Sequence, residues 1–152
     1  MPPPPQATSA QSVSNRLGSS VKAAEQVLIA AKSRALRPFG LTVPQYATLL
    51  AVHITPDQSA AQLARSAMVA PQTMATIIGN LESKQLIRRE PSPLHRRVLV
   101  TRITAAGTSL VTEADAAAKA VEEELAGQFT PSEQAQLRQL LQRAIDHLRT
   151  KA

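Results

Sequence analysis

At 152 residues and 43% hydrophobic, the chain is long enough to bury a core, and with 17 Lys+Arg against 11 Asp+Glu it favours a polyanion, nucleic acid or an anionic membrane face. Zero Cys excludes disulfides, thiolate metal sites and thiol redox sensing within the chain, and two Phe, one Tyr and no Trp require an aliphatic core. No apolar run approaches ~18 residues, and Met-Pro-Pro-Pro-Pro-Gln lacks the charged and apolar regions of a secretion signal, so a soluble cytoplasmic protein that does not enter a membrane is expected.

Residues 1–10, small and Pro-rich, predict a solvated extended tail ahead of a single domain over 11–152. From Val13 the apolar residues Val13, Leu17, Val21, Ala24, Leu28, Ala31 and Ala35 recur at intervals of three and four, predicting one long helix over 11–37. Its stripe is narrow and heptad-like, so another helix must cover it. Arg37-Pro38-Phe39-Gly40 ends this helix, because Pro38 disfavours helical geometry at Arg37 and Gly40 permits a tight turn. Thr42 with Gln45 forms a capping box that opens a second helix, running through Tyr46, Leu49, Leu50 and Val52 to about Ile54.

Thr55-Pro56-Asp57 breaks that helix, and Ser59 with Gln62 caps a short one whose Leu63, Ala64 and Ala67 face inward. Met68-Val69-Ala70 makes a turn, and Pro71 suits a first helical position. The next helix, Pro71 to about Leu86, buries Met74, Ile77, Ile78 and Leu81, which leaves Gln72, Thr73, Thr76 and Asn80 on or beside the other face. Ile87 to Glu90 and Val98 to Ile103 read as strands joined by a loop holding two prolines and Arg96-Arg97. Residues 105–128 form an Ala-rich helix with Leu110, Ala114, Ala117, Val121 and Leu125 inward. Thr130-Pro131-Ser132-Glu133 starts a last helix striped by Leu137, Leu140, Leu141, Ala144, Ile145 and Leu148. The three long helices outside the basic motif fit a shared dimer core.

Charge follows the same division. Residues 57–104 carry seven basic and three acidic residues, residues 105–152 five and seven, so the basic excess stops where the hairpin ends. Helix, turn, helix and basic hairpin in that order suit a winged helix-turn-helix, which puts its second helix in the major groove and an arginine-tipped hairpin beside it. On this reading Gln72, Thr73 and Thr76 read base edges with Asn80 nearby, Arg97 with Arg96 enters or flanks the minor groove, and Arg65, Lys84 and Arg88 hold phosphates. Plainer roles stay open. Arg96 and Arg97 can be solvated hairpin charges, the Gln/Thr face an ordinary polar surface, and Lys84, Arg88 and Arg89 general surface charge. Arg65 serves either the motif's stability or a phosphate.

His53, His95 and His147 are widely separated without a carboxylate cluster, so packing or solvation is their default and no metal site is expected. No Ser-His-Asp grouping, Gly-rich phosphate loop or paired-carboxylate motif points to an enzyme, and no cofactor is implied.

Over Leu41 to Gly107 the chain resembles the MarR family of bacterial transcription regulators. The matching residues are Leu41-Thr42 with Gln45, Leu49 and Leu50, then Gln62-Leu63-Ala64-Arg65, Pro71-Gln72-Thr73, Leu81-Glu82, Leu86-Ile87, Arg89, Pro91, Pro93, Arg96-Arg97, Ile103-Thr104 and Gly107. The resemblance implies a mainly α fold with a small β-hairpin wing, the winged helix-turn-helix over 41–104 and dimerisation helices over 11–37 and 105–150. It implies a homodimer on a palindromic double-stranded operator, more often a repressor, with a small amphipathic or anionic effector bound between the two regions. Arg37 and His53 are the candidate ligand contacts there, with Lys32 and Arg34 close by in sequence. The chain departs from the family at His95, where Asp is usual, at Thr76 and Asn80, where Arg is frequent, at Gly79 for Asp, at Gln85 for Gly, and at Ala70 for a Ser cap. The alternative reading is a winged-helix interaction adaptor whose basic face serves an acidic partner without specific DNA readout.

Overall fold

Serine, asparagine and glycine dominate the first described residues, and each weakens a helix interior by offering the backbone other hydrogen bonds or excess freedom. The computed structural model describes residues 9–151, so the expected tail lies outside it for residues 1–8. Ser9 already caps a short helix α1 (Ala10–Ser14), accepting from Ser12 N, which corrects the tail's expected end. The single long helix is also corrected: the chain turns extended at Arg16 and restarts as α2 (Leu17–Leu36). Ser19 Oγ donates to the Val13 carbonyl at 2.8 Å across the break.

A 3-10 turn at Arg37–Phe39 closes on Gly40 at φ 64, and α3 (Val43–Ile54) follows with both halves of the Thr42–Gln45 capping box made. The Ser59–Gln62 box opens α4 (Ala60–Ala67) in the same way. Here Leu63 and Ala64 are buried as expected, whereas Ala67 is exposed because the chain leaves the helix at Met68 in left-handed geometry.

Helix α5 (Pro71–Ser83) buries the four predicted residues but stops three residues before Leu86. Its end is a Schellman motif: Gln85 N donates to the Glu82 carbonyl at 2.9 Å and Leu86 N to the Leu81 carbonyl at 3.0 Å, with Gln85 at φ 58. A side chain with a Cβ is strained there. Gln85→Gly is therefore expected to raise stability by about 1 kcal/mol, read as a higher urea midpoint at unchanged slope.

Strands β1 (Ile87–Pro91) and β2 (Leu99–Ile103) pair antiparallel with Ile87 opposite Ile103 and Pro91 opposite Leu99. Thr101 N reaches back to the Gln58 carbonyl at 2.8 Å, tying the hairpin to the segment before α4. Helix α6 (Ala105–Ala126) packs on α2 and α3, and α7 (Pro131–Arg149) begins at a complete Thr130–Glu133 capping box.

One core joins these elements. Leu36, Leu49, Val52, Met74, Ile78, Leu81 and Ile87 are buried together with Val111, Ala114 and Ala118 of α6. The inward face of α6 is thus rotated from the expected one. Gly107, Val111, Ala114 and Ala118 are buried, Leu110, Ala117 and Val121 are half-buried, and Leu125 is exposed. In an Ala-rich helix small residues on two strips look equally apolar, and close approach to α3 selects the smaller set. The α7 stripe has no cover among the described residues: Leu137, Leu140, Leu141, Ile145 and Leu148 are all exposed, as are Val21, Val27 and Ile29 of α2. Among the described residues, no helix is long and apolar enough to cross a membrane.

Candidate nucleic-acid interface

The interface is built on α5 because four aliphatic residues anchor one face and leave the other free. Gln72, Thr73, Thr76 and Asn80 are all exposed. Thr76 Oγ1 donates to the Gln72 carbonyl at 3.2 Å, so its lone pairs remain available while its proton is held. Ala70 supplies no side-chain cap at the helix start, which leaves the first amides of α5 pointing outward without a side-chain acceptor.

The wing tip is a closed loop. Ser92 N donates to the Val98 carbonyl at 2.8 Å and Val98 N to the His95 carbonyl at 2.8 Å. Ser92 Oγ accepts from Leu94 N at 3.2 Å and His95 N at 3.3 Å, and Pro93 to Val98 are exposed.

Ion pairing sorts the basic residues of this region. Arg102 bonds Asp57 at 2.6 Å and Glu90 at 2.7 Å, Arg88 bonds Glu90 at 3.1 Å, and Arg89 bonds Glu82 at 2.8 Å. The hydrogen bond it donates to Asp57 is the main reason the Arg102 guanidinium holds its proton even more firmly than usual. These three carboxylates are the only acids of residues 57–104, and all are engaged. Lys84 Nζ donates to the Gly40 carbonyl at 2.6 Å and to Gln45 Oε1 at 3.3 Å, latching the end of α5 to the start of α3. Among the described residues, Arg65, Arg96 and Arg97 have no carboxylate partner and are exposed. The five candidate basic contacts therefore divide into three free cations and two, Lys84 and Arg88, held within the chain. Sequence reasoning missed the pairings. The scarcity of acids in this stretch was the available signal.

Of the ligand candidates, Arg37 lines a cavity of about 350 Å³ with Ser33, Leu41, Gln45 and Lys84, where the end of α2 meets the starts of α3 and the end of α5. His53 sits exposed near the far end of α3 and lines no part of it, so the structure does not bring the two together. Lys32 pairs with Glu122 of α6. Close to that pair, Tyr46 Oη donates to Asp115 at 2.7 Å, and burial followed by that hydrogen bond pushes the phenol well above its usual range. Among the described residues no group of His and carboxylates could hold a metal.

A MarR family model matches residues 39–98, from the end of the 3-10 turn through α3, α4, α5, β1 and the hairpin loop. The chain is 33% identical over 111 residues to the HTH-type transcriptional repressor Rv2887 of Mycobacterium tuberculosis, covering 73% of this chain and 80% of that one. A solved structure of the Mycobacterium tuberculosis MarR family protein Rv2887 in complex with p-aminosalicylic acid superposes at TM-score 0.66 with 31% identity, covering 85% of this chain and 98% of that chain. A mutant MarR from Escherichia coli complexed with operator DNA superposes at TM-score 0.82 with 20% identity, over 90% of this chain and 99% of that one, and shows the shared fold. The winged helix-turn-helix geometry, the matched span and the identity to a repressor over most of its length agree: the chain belongs to the MarR family of transcription regulators, which are not enzymes.

Proposed function

We propose that the protein is a homodimeric repressor that binds a palindromic double-stranded operator and is released by a small ligand. The observation that carries the DNA part is the pairing of a free polar face on α5 with a wing whose arginines have no carboxylate left to neutralise them. Gln72, Thr73 and Thr76 read base edges, with Asn80 one turn further along the helix. Arg96 and Arg97 enter or flank the minor groove, and Arg65 holds a phosphate. Arg88 and Lys84 contribute to phosphate binding only by sharing their present partners. Such a regulator works in the cytoplasm.

Selection of bound duplexes from a random DNA pool tests this reading: half-sites about one helical turn, roughly 10 bp, apart are expected for two-fold docking. Unselective binding would instead favour the adaptor reading. Thr76→Ala should change the preferred base within each half-site and leave the salt dependence nearly intact, because a hydroxyl releases no counterion. Identical base preferences would remove Thr76 from the readout.

Dimerisation is supported by the leucine stripe of α7 and the exposed aliphatic residues of α2, which no part of the described chain covers. Light scattering at micromolar concentration is expected to give twice the chain mass. Leu140→Asp with Leu141→Asp should give monomers with reduced operator affinity.

The ligand part rests on the Arg37–Lys84 cavity, whose two cations suit an anion, and on the p-aminosalicylic acid complex of the relative. A ligand releases DNA only through its differential affinity for two dimer geometries; a 100-fold difference corresponds to about 2.7 kcal/mol. Thermal shift with aromatic carboxylates, followed by operator titration, tests it. Binders that stabilise the protein without weakening operator affinity would exclude this cavity as the switch.

A further inference from the structure

Asp57, Met68 and Gln85 are the non-glycine residues at positive φ among those described. Two of them are tied to bonds already given, since Asp57 holds Arg102 and Gln85 ends α5. Met68, at φ 54 and ψ 42 in the turn between α4 and α5, is fixed by its own amide on the Arg65 carbonyl at 3.2 Å and by the Val69 amide on the Ala64 carbonyl at 3.1 Å. Left-handed backbone disfavours a side chain, and this apolar one is 75% exposed.

Its sulfur has a partner far away in sequence. Arg149 Nη2, at the last residue of α7, donates to Met68 Sδ at 3.5 Å. Among the described residues this is the only hydrogen bond joining α7 to the winged motif. At its other end α7 is held by Gln134 Nε2, which donates to the Ala126 and Phe129 carbonyls at 2.8 and 3.1 Å. The helix therefore reaches from the end of α6 back to the turn, roughly 28 Å at 1.5 Å per residue. A thioether is a weak acceptor for such a junction.

We propose that Met68 is an oxidation site whose sulfoxide turns this weak contact into a latch between α7 and the helix-turn-helix turn. The oxidant is hydrogen peroxide. A sulfur lone pair attacks one peroxide oxygen as the O–O bond breaks; that oxygen stays on sulfur, the other leaves as water with both protons, and sulfur loses the two electrons that peroxide gains. The sulfoxide oxygen is a strong acceptor beside a guanidinium with five donors, so the bond to Arg149 becomes charge-assisted. Exposure makes the step selective, because Met74 is 1% exposed in the core. Methionine sulfoxide reductases, one for each epimer, restore the thioether. Only the effect on DNA rests on the repressor reading: the latch favours the pose of the free chain and so opposes operator binding.

The test treats the full chain with hydrogen peroxide and follows it by peptide mass mapping and amide hydrogen exchange. Met68 is expected to gain one oxygen before Met74. Exchange in the last turn of α7 should then slow by about fivefold, the scale of one exposed charged contact, while α5 is unaffected. Met68→Leu should show no slowing under the same treatment, and neither should Arg149→Gln, in which Met68 still oxidises. Met68→Gln, which puts a carbonyl oxygen close to the sulfoxide position, should slow exchange without oxidant. The two reductases together should return the oxidised parent to its starting rate. The proposal is overturned by Met74 oxidising as fast as Met68, by exchange in the last turn of α7 that oxidation leaves unchanged or speeds, or by slowing that survives Arg149→Gln. Operator titration of the same samples separates the two readings. The oxidised parent should bind its selected operator more weakly, by no more than the factor seen in exchange, and Arg149→Gln should lose nothing on oxidation. A latch that forms without that loss overturns the coupling to DNA alone, and one that forms in a chain selecting no operator overturns the repressor reading alone.

Discussion

Gly107→Ala is expected to destabilise the protein by about 3 kcal/mol or more, the scale of a steric insertion that a packed core cannot absorb. The reason lies in how α6 begins. Thr104 N donates to the Leu86 carbonyl at 3.0 Å, Thr104 Oγ1 donates to the Gln85 carbonyl at 2.8 Å, and Gly107 N donates to Thr104 Oγ1 at 3.0 Å. These bonds draw the first turn of α6 onto the chain leaving α5. A Cβ at Gly107 would overlap the Leu86 carbonyl oxygen and stand 2.7 Å from Ile103 Cγ1. Backbone on one side and the hairpin on the other leave it no room to shift. Gly79→Ala is the control. A Cβ there meets nothing within 4 Å, and in a helix interior it should stabilise by about 0.5–1 kcal/mol. Because the chain has no Trp, urea unfolding followed by far-ultraviolet circular dichroism at fixed protein concentration is the suitable measurement. Equal stability of the Gly107 variant and the parent would show that α6 can retreat from Leu86, and that the junction is looser than its hydrogen bonds indicate.

Arg96→Ala combined with Arg97→Ala is expected to reduce operator affinity by about two orders of magnitude or more near 0.15 M salt. The slope of log K against log salt should flatten by roughly 1.8 per subunit, since each lost phosphate-level charge removes about 0.9. The effect is large because these guanidiniums are uncompensated: Asp57, Glu82 and Glu90 already bind Arg102, Arg89 and Arg88. Anisotropy titrations over a series of salt concentrations read both quantities. Arg102→Gln provides the contrast. It frees Asp57 and leaves Glu90 with Arg88 alone, and should weaken binding through added negative charge and a loosened hairpin. An unchanged slope in the double variant would remove the wing from the phosphate-contacting set.

The helix starts were legible because the chemistry that sets them is local. Thr42 with Gln45, Ser59 with Gln62 and Thr130 with Glu133 each close a reciprocal pair three residues apart, and all three form as the spacing predicts. Helix ends were less legible. At the end of α5 the left-handed position is held by Gln85 rather than the glycine that usually marks such a stop, so the apolar pattern ran on to Leu86. The inward strip of α6 was misplaced because alanines carry little periodic contrast, and the break at Arg16 because Val13 and Leu17 keep their spacing across it. The candidate DNA-contacting side chains could be named from position alone. Their charge state as a group could not, since the Arg102–Asp57 pair joins residues 45 apart in the chain. Separating Arg37 from His53 likewise required knowing the direction and length of α3.

Val111, Ala114 and Ala118 belong to the same buried core as Ile78 and Leu81 of α5, so a movement of α6 is felt at α5 through packed side chains. Mechanically, α6 is a lever. At 22 residues it extends about 33 Å at 1.5 Å per residue. A tilt of about 5° at one end carries whatever is fixed to the other through roughly 3 Å by that geometry, close to the rise of one base pair. In the proposed dimer, a displacement too small to break any helix would therefore put two half-sites out of register.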